Sequence, residues 1–287
     1  MKLADARVTI VGLGLMGGSL AAALKTERAC RHIRGVARTE NTIHQALARG
    51  WIDTGTLDLA SGLQETSIVI LATPVRAIIE LVSRLGPLLP AGCLLMDLGS
   101  TKTAILEAMQ RLPAGVRPLG GHPVCGKEVS GIEAADARLF RGAAFVLCPL
   151  PRTGQEALGL AQELVEAVGA RPMVMDCERH DRLLAAVSHL PYLLSLGLMA
   201  SAEEQAQADP LLWDLAASGF RDTSRLAASD VRMMLDILLT NREAVSVMLG
   251  GLRDKLGKLQ RALDCQDEQT LRQMMEAAQR RRREMFR

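Results

Sequence analysis

The chain has 287 residues, long enough for two domains, and 48% of them are hydrophobic. Its 34 basic and 32 acidic residues give a net charge of +2, too small to steer the whole molecule toward DNA or a membrane surface. It contains only two Trp, one Tyr and four Phe, whereas surfaces that bind nucleic acid by base stacking rely on exposed aromatic rings. The composition therefore predicts neither a nucleic-acid partner nor a membrane partner.

The first predicted elements are a β-strand over Arg7–Val11 and an Ala-rich helix over Ser19–Lys25, joined by a G-x-G-x-x-G turn. In such a turn the first glycine permits a tight bend, the second lets a pyrophosphate approach the backbone, and the third brings helix and strand together. Free N–H groups at the start of the helix face the phosphates. The turn predicts a dinucleotide site with these cofactor-binding residues: Gly12, Gly14, Leu15, Met16 and Gly17.

The end of the second predicted strand, Ile33–Ala37, indicates which dinucleotide binds. A site for NAD normally places Asp or Glu there, to accept hydrogen bonds from the ribose hydroxyls. Here Arg38 and Thr39 follow the strand, and a cation with hydroxyl groups suits the 2′-phosphate of NADP. NADP is therefore the predicted cofactor, with NAD as the second choice. In the alternative interpretation, Arg38 is a solvated surface residue and Glu40 supplies the acid.

Strands and helices are predicted to alternate as far as residue 176. Further strands are predicted at Ser67–Ala72, Cys93–Asp97, Arg117–Leu119, Ala143–Cys148 and Pro172–Met175. Further helices are predicted at Thr42–Ala48, Val75–Leu85, Lys102–Met109 and Gly154–Val168. The pattern is typical of an α/β Rossmann-type domain with a doubly wound, parallel sheet, here residues 1–176.

Ligands bind such sheets beyond the carboxyl ends of the strands, where three segments carry candidate residues. Thr73 and Pro74 would let a nicotinamide lie against the sheet, or they form a plain strand-to-helix turn. The hydroxyl of Ser100 either functions in the site or caps the next helix. Glycines before His122 and a proline after it are expected to leave the imidazole uncovered, as a general base or hydrogen-bond acceptor. The alternatives are a buried structural histidine or a zinc site with Cys125, and no metal is predicted.

From residue 177 to residue 287 the pattern is helical, which predicts an all-α second domain. Its apolar stripes must be buried, and a second subunit could cover them, so a homodimer through this domain is predicted. Pro191 should kink the helix that contains it. His189 is polar on that apolar helix and is either a core histidine or a site residue.

Residues 218–225 interrupt the helical pattern and contain two arginines. Arg225 could bind a substrate carboxylate with its forked N–H groups. Alternatively, the segment is a surface loop with an ion pair to Asp222. The residue composition alone does not decide between them.

The cysteine pattern and the N-terminus indicate a compartment. None of the six cysteines forms a C-x-x-C pair, which predicts free thiols in a reducing compartment. The N-terminus has no signal-peptide core, and no apolar run is expected to approach the length of a membrane span. These features predict a soluble, cytoplasmic protein.

Five motifs, taken in chain order, resemble those of the prephenate/arogenate dehydrogenase family of tyrosine biosynthesis. They are residues 12–19, Gly121-His122-Pro123, Gly131-Ile132-Glu133, Ser188-His189-Leu190-Pro191 and Gly219-Phe220-Arg221-Asp222-Thr223-Ser224-Arg225. The last motif and the turn at residues 37–42 are most similar to the NADP-dependent arogenate dehydrogenases of the cyanobacterial kind.

This resemblance implies an oxidative decarboxylation, in which a cyclohexadienyl ring gives a hydride to the nicotinamide, loses carbon dioxide and becomes aromatic. The histidine at position 122 would accept the proton of the substrate 4-hydroxyl, with Ser100 beside it and the nicotinamide. Arg225 would bind a substrate carboxylate, and His189 would line the same pocket. The resemblance also implies that the helical domain mediates dimerisation.

The chain departs from the family pattern at Lys127, close to His122 in the sequence. Lys127 and Glu128 are candidates for substrate selection, because arogenate ends its side chain in an amino acid and prephenate in a keto acid. A carboxylate at Glu128 would favour the ammonium group of arogenate, and Lys127 would not. The sequence leaves the choice of substrate open.

Two other functions compete with this interpretation. A β-hydroxyacid or 6-phosphogluconate-type dehydrogenase would share the layout, but it relies on a lysine early in the second domain, and residues 181–196 contain none. A binding module that senses NADP without turnover would need no His122 facing Arg225 across a cavity.

Overall fold

The computed structural model describes residues 1–127 and 129–286. Glu128, a candidate for substrate selection, and Arg287 lie outside the described residues. The chain forms two compact units, Met1–Arg242 and Glu243–Arg287.

An eight-stranded sheet forms the centre of the first unit, in the order β3-β2-β1-β4-β5-β6-β7-β8. Its strands are β1 (Arg7–Val11), β2 (His32–Val36), β3 (Thr54–Thr56), β4 (Ile68–Leu71), β5 (Leu94–Asp97), β6 (Arg117–Pro123), β7 (Ala144–Pro149) and β8 (Arg171–Val174). All neighbouring strands are parallel except β6 and β7, which are antiparallel. The order reverses beside β1, so the carboxyl ends of β1 and β4 form the crevice in which such sheets bind ligands.

Helices cover both faces of this sheet. The helices of the chain are α1 (Leu15–Thr26), α2 (Glu40–Ala48), α3 (Leu59–Gly62), α4 (Val75–Leu85), α5 (Thr103–Met109), α6 (Gln155–Ala167), α7 (Cys177–Leu184), α8 (Leu190–Ala206), α9 (Ser218–Ser224), α10 (Val231–Thr240), α11 (Arg242–Asp264) and α12 (Glu268–Met285). Successive residues of β4 point to opposite faces, so Ile70 joins the cluster with α1, α2 and α6, and Leu71 joins the cluster with α4 and α5. Two apolar cores thereby hold the sheet between two helical layers.

The Rossmann-type sheet and its helices confirm the predicted fold class, with local differences. The short strand β3 and the one-turn helix α3 carry too few residues for a periodic signal and were not predicted. α1 begins at Leu15 rather than at Ser19, because the packing of Gly17 against the strand overrides the low helix propensity of glycine. β6 continues to Pro123 and pairs with an antiparallel strand, so the expectation of an entirely parallel sheet is wrong.

The segment that contains Pro191 changes geometry where a kink was predicted. A π-helical turn, Ala185–His189, separates α7 from α8. Proline lacks the N–H that an α-helix needs, and π-helical segments are rare and occur mostly as single turns within α-helices. The turn places His189 at the start of α8.

Residues 218–225 are helical, so the predicted interruption is wrong. They form α9, followed by a 3-10 turn over Arg225–Ala228. Thr223 and Ser224 direct their hydroxyls back to the carbonyls of Gly219 and Phe220, at 2.8 and 2.7 Å. These local bonds satisfy the hydroxyls, which explains why a run of small polar residues is compatible with a helix.

One stretch of the described residues, Cys177–Ala206, is long and apolar enough by length and composition to cross a membrane. It has 30 residues and a window of mean hydropathy 1.7, so the expectation that no apolar run approaches the length of a span is wrong. Only 28% of that window is buried, and Val187 and Leu196 are exposed. Ser195 nevertheless ties the stretch to α9 by donating to the carbonyl of Thr223 at 2.5 Å.

The second unit consists of α12 and all of α11 beyond its first residue. Asp267 caps α12 by accepting a hydrogen bond from the N–H of Thr270 at 3.0 Å. Along α11, Val247, Leu256 and Leu263 are exposed. Single exposed apolar side chains are common on protein surfaces, but here several are exposed along one helix.

Candidate active site

The glycine turn leaves room at one position and none at two others. A Cβ on Gly12, whose φ is +98°, would lie 2.7 Å from the carbonyl oxygen of Ala72, and one on Gly17 would lie 1.9 Å from that of Gly12. These two glycines are therefore required by the fold itself. At Gly14 a Cβ would meet nothing within 4 Å, so open space lies where the motif admits a pyrophosphate.

Two further features of the turn fit a dinucleotide. Gly14 is the N-cap of α1 and provides no side-chain hydrogen bond to the helix. The N–H groups of the first helical residues, Leu15 and Met16, therefore remain available to an anion. The hydroxyl Oγ1 of Thr73 is buried and has no hydrogen-bond partner within the described residues. Its methyl group lies 2.9 Å from the position of a Cβ on Gly12, so the unsatisfied hydroxyl is beside the turn. A bound cofactor would satisfy these groups.

The residues after β2 are arranged as a cation beside hydroxyl groups. Arg38 is exposed, and the described residues offer it neither a hydrogen bond nor an ion pair. Thr39 is the N-cap of α2, where Oγ1 accepts from the N–H of Thr42 at 3.3 Å and lies 2.9 Å from its hydroxyl. Glu40 is the first residue of α2.

Pro74 is the N-cap of α4 and directly follows Thr73.

His122 lies within β6 and is 8% exposed, so the expectation that its imidazole is uncovered is wrong. Its Nδ1 lies 2.8 Å from Nε2 of His180 on α7. Nδ1 of His180 lies 2.7 Å from Oδ1 of Asp181. The three side chains form one hydrogen-bonded chain, and Nε2 of His122 is the one ring nitrogen in it without a hydrogen bond to the described residues.

The carboxylate of Asp181 also holds the start of α5. Its Oδ1 accepts from the N–H of Lys102 at 2.8 Å, and its Oδ2 accepts from that of Thr103 at 2.9 Å. These are the donors that a helix start leaves unsatisfied, so α7 supplies the cap of α5. Ser100, one possible cap, does not act as one, and it is half-buried in the loop between β5 and α5.

A buried ion pair ties this loop to β6. The ammonium of Lys102 and the carboxylate of Asp97 are both fully buried and in contact. Asp97 also accepts from the N–H groups of Gly99 at 2.7 Å and Gly121 at 3.2 Å. Burial raises the pKa of Asp97, against the effects of Lys102 and of the two N–H donors. Removal of either partner would leave a buried, unpaired charge, so the pair is costly to break. Through the hydrogen bonds of Asp97 it fixes the backbone on either side of Ser100 and just before His122.

His189 belongs to the same cluster. It is 1% exposed, and its Nδ1 lies 3.2 Å from Nδ2 of Asn241, which also donates to the main-chain carbonyl of Asp181 at 2.8 Å. Burial lowers the pKa of His189 to about 4, and His180 acts in the same direction. Burial also lowers the pKa of His122 well below 6.5, with contributions from His180, Lys102 and His189. Both histidines are therefore neutral at pH 7.

Two predicted substrate residues, Lys127 and Arg225, lie on other segments of the chain. The ammonium of Lys127 lies 3.3 Å from the carbonyl of Ala134 and 3.5 Å from Oδ2 of Asp136, so it contacts the loop that follows. Arg225 is exposed and is the first residue of the 3-10 turn that packs against α8. His189 is the N-cap of that same helix, α8.

The sequence alone did not point to His180, Asp181, Asn241 or the ion pair of Lys102. Nothing in the sequence set residues 180 and 181 apart, because they lie in a run of titratable residues from Glu178 to Arg182 whose other members are exposed. Charged or polar residues at such positions are seldom buried unless they are paired.

Residues 20–174 match the family model of the prephenate dehydrogenase nucleotide-binding domain, and residues 176–277 match that of the prephenate dehydrogenase dimerization domain. The chain belongs to the prephenate dehydrogenase family. The resemblance seen in the sequence is thereby confirmed, and the glycine turn over residues 12–17 lies just before the segment that matches the nucleotide-binding domain.

Relatives within the prephenate dehydrogenase family match nearly the whole chain. The chain is 34% identical over 282 residues to prephenate dehydrogenase of Lactococcus lactis, covering 97% of this chain and 77% of the relative. The crystal structure of Aquifex aeolicus prephenate dehydrogenase in complex with hydroxyphenyl propionate and NAD+ has a TM-score of 0.92, at 30% identity, and covers 99% of this chain and 100% of its own. That of Synechocystis arogenate dehydrogenase has a TM-score of 0.85, at 31% identity, and covers 97% and 99%.

Proposed function

We propose that the chain catalyses the oxidative decarboxylation of arogenate or prephenate, with NADP preferred over NAD as hydride acceptor. Membership of the family makes it an NAD(P)-dependent dehydrogenase of tyrosine biosynthesis. The observation that carries the proposal is the hydrogen-bonded chain of His122, His180 and Asp181. In this arrangement Nε2 of the neutral, buried His122 is without a hydrogen bond to the described residues and can act as an acceptor, as proton removal from a substrate hydroxyl requires.

In the proposed mechanism, His122 holds a proton and then returns it. Nε2 of His122 accepts the proton of the substrate 4-hydroxyl. At the same time the ring carbon that bears this hydroxyl loses a hydride and becomes a carbonyl carbon. The nicotinamide would supply the hydride acceptor. The bond from the ring to the carboxyl group then breaks, carbon dioxide leaves, and its electrons make the ring aromatic with a phenolate oxygen. That oxygen takes the proton back from Nε2, so no net proton is released.

Further residues are proposed to bind and orient the reactants. Arg225 would bind a substrate carboxylate, and its charge and position on the turn beside α8 support this role. His189 lines the same buried cluster as His122. Ser100 stands in the loop that the Lys102–Asp97 pair fixes, beside the carboxyl end of β5. Lys127 remains a candidate for substrate selection.

A homodimer through the helical domain, with the domain boundary at residues 176 and 177, forms part of the proposal. The family match over residues 176–277 is to a dimerization domain. Exposed apolar side chains on α8, such as Leu196, support it because a partner would cover them. We also propose a cytoplasmic location, supported by the absence of disulfides among the described residues.

The proposal is tested by incubating the purified chain with arogenate or prephenate and with NADP or NAD, and following reduced cofactor. We expect turnover of at least one substrate and a higher kcat/KM with NADP. Binding of NADP without turnover of either substrate would contradict the proposal and favour the sensing module.

Arg38 decides the cofactor preference. We expect Arg38→Asp to lower the ratio of kcat/KM for NADP over NAD by about 10- to 100-fold, because one charge-assisted hydrogen bond contributes about 1.5–3 kcal/mol. Arg84→Gln, near the end of α4, is the control and should leave the ratio unchanged. An unchanged ratio in Arg38→Asp would show that Arg38 is only a solvated surface residue.

Gly14 and Gly17 are expected to respond differently to the same substitution. Gly14→Ala should weaken NADP binding by about tenfold or more with little change in Tm, because its methyl group meets no protein atom but occupies the path of the pyrophosphate. Gly17→Ala should lower Tm, because its Cβ would lie 1.9 Å from the carbonyl oxygen of Gly12. Titration with NADP and thermal melting measure both effects, and unaltered NADP affinity in Gly14→Ala would remove the turn from the cofactor site.

The pH dependence of kcat/KM reports the protonation of His122 in the free enzyme. Burial lowers the pKa of His122 well below 6.5, so the reactive neutral form persists as the pH falls through that value. We expect kcat/KM to stay on its plateau through pH 6.5 and to decline only at lower pH. An acid limb with its midpoint at 6.5 or above would contradict a buried, neutral base.

A further inference from the structure

We propose that Asp181 sets opposite tautomers of the two site histidines, through His180 on one side and Asn241 on the other. His122 would then present an acceptor at Nε2, and His189 would present an N–H donor at Nε2. His180, Asp181 and Asn241 are positioning residues in this proposal. It rests on the proposed function for its catalytic consequence, but the tautomers themselves are a property of the free protein.

The first branch starts from the side chain of Asp181. Burial acts to raise the pKa of Asp181, but hydrogen bonds from His180 and from the N–H groups of Thr103 and Lys102 outweigh it and hold the pKa below the usual value. Asp181 is therefore a carboxylate at pH 7, which only accepts hydrogen bonds. The proton of His180 must then lie on Nδ1, 2.7 Å from Oδ1.

With its proton on Nδ1, His180 can only accept at Nε2, and the partner there is Nδ1 of His122 at 2.8 Å. The proton of His122 must then also lie on Nδ1. Its Nε2 is left with a lone pair, which is the form needed to remove a hydroxyl proton. A His180 with protons on both nitrogens would instead donate to Nδ1 of His122, and the ring spectra described below distinguish the two arrangements.

The second branch starts from the main chain of Asp181. A carbonyl oxygen only accepts, so the Asn241 atom 2.8 Å from it must be the amide nitrogen. The same nitrogen lies 3.2 Å from Nδ1 of His189, which must therefore be an acceptor. The proton of a neutral His189 then lies on Nε2, as a donor.

These tautomers complement the substrate. A hydroxyl that must lose its proton needs an acceptor, which His122 provides, and a carboxylate needs donors, which His189 would provide without a buried charge. When His122 takes up the proton, its Nδ1–H remains bonded to His180, which is bonded in turn to a carboxylate. Asp181 is itself held by two N–H groups of α5, so the whole arrangement is rigid.

The tautomers can be measured directly by long-range 1H–15N NMR of the histidine rings, without substrate. The chain has five histidines, so His32→Gln, His44→Gln and the variants below assign the signals. We expect His122 to carry its proton on Nδ1 and His189 on Nε2. Protons on Nε2 of His122, on both nitrogens of His180 or on Nδ1 of His189 would overturn the proposal.

Matched variants at residue 180 connect the tautomer to turnover. In His180→Gln the carboxamide oxygen can still accept from Nδ1–H of His122, and we expect kcat within about tenfold of the wild type. In His180→Phe that acceptor is lost, and we expect kcat to fall by about 10²-fold or more with unchanged KM for NADP. His44→Gln, exposed on α2, is the control and should behave like the wild type. Equal kcat in the Gln and Phe variants would overturn the first branch.

Asn241→Asp tests the second branch, because a carboxylate at that position accepts and would move the proton of His189 to Nδ1. We expect KM for the substrate to rise by about tenfold while kcat changes less. Thermal melting of each variant separates these effects from loss of fold. An unchanged ring spectrum of His189 in Asn241→Asp would overturn this branch. A wild type that turns over neither substrate would contradict the proposed function, whereas the ring spectra would still decide the tautomers.

Discussion

Replacing His122 with asparagine is expected to lower kcat by about 10²- to 10⁴-fold, with the Kd for NADP changed by about twofold or less. The amide nitrogen of asparagine reaches the position of Nδ1, so the hydrogen bond to His180 can persist. Nothing then occupies the position of Nε2. The variant therefore removes the proton acceptor and leaves the supporting chain in place.

His122→Gln is the informative partner of this variant. Its carboxamide oxygen can reach the position of Nε2 and accept a hydrogen bond from the substrate hydroxyl, but it is far too weak a base to take the proton. We expect it to keep the KM for the substrate and still lose most of kcat, measured by steady-state assay beside NADP titration. Turnover close to the wild type in either variant would remove His122 from the mechanism.

The cofactor half of the site could be predicted from the sequence because its signal is local. The strand, three glycines and Ala-rich helix are contiguous, and the structure places Gly12, Gly14 and Thr73 together at the carboxyl ends of β1 and β4. Arg38 was identified in the same way, from its position after the second strand. Their roles in binding stay predictions.

The surroundings of His122 could not be predicted because its partners come from distant parts of the chain. His180 is 58 residues away, and Asn241 reaches His189 across 52 residues. Periodicity identifies apolar faces but not which polar side chains meet across them. For the same reason the glycines beside His122 suggested an uncovered ring, whereas packing of α7 against the sheet buries it.

The direction of the strands also could not be predicted from the sequence. The run that forms β7 has the same apolar character as a parallel strand, yet it pairs antiparallel to β6, with His122 opposite Val146. The direction of β7 depends on the connection from β6, and the apolar composition of a strand does not indicate the path of the connection before it.

Replacing Arg225 with alanine is expected to weaken substrate binding by about 2–4 kcal/mol, from the loss of a charge-assisted pair with a carboxylate. The KM for the substrate should rise by about 30- to 900-fold, since each 1.4 kcal/mol corresponds to a factor of about ten. The KM for NADP should change little. Arg225→Lys keeps the charge but not the planar fork, so an intermediate KM is expected.

Arg221→Ala is the matched control for Arg225, because both arginines are exposed and Arg221 lies one turn earlier, on α9. It should leave the substrate KM within about twofold of the wild type, as is usual for an exposed residue outside a site. A KM that rises equally in both alanine variants would indicate a general positive field around α9. An unchanged KM in Arg225→Ala would place the carboxylate-binding residue elsewhere. A selective rise would place the substrate carboxylate at the 3-10 turn that begins with Arg225 and packs against α8.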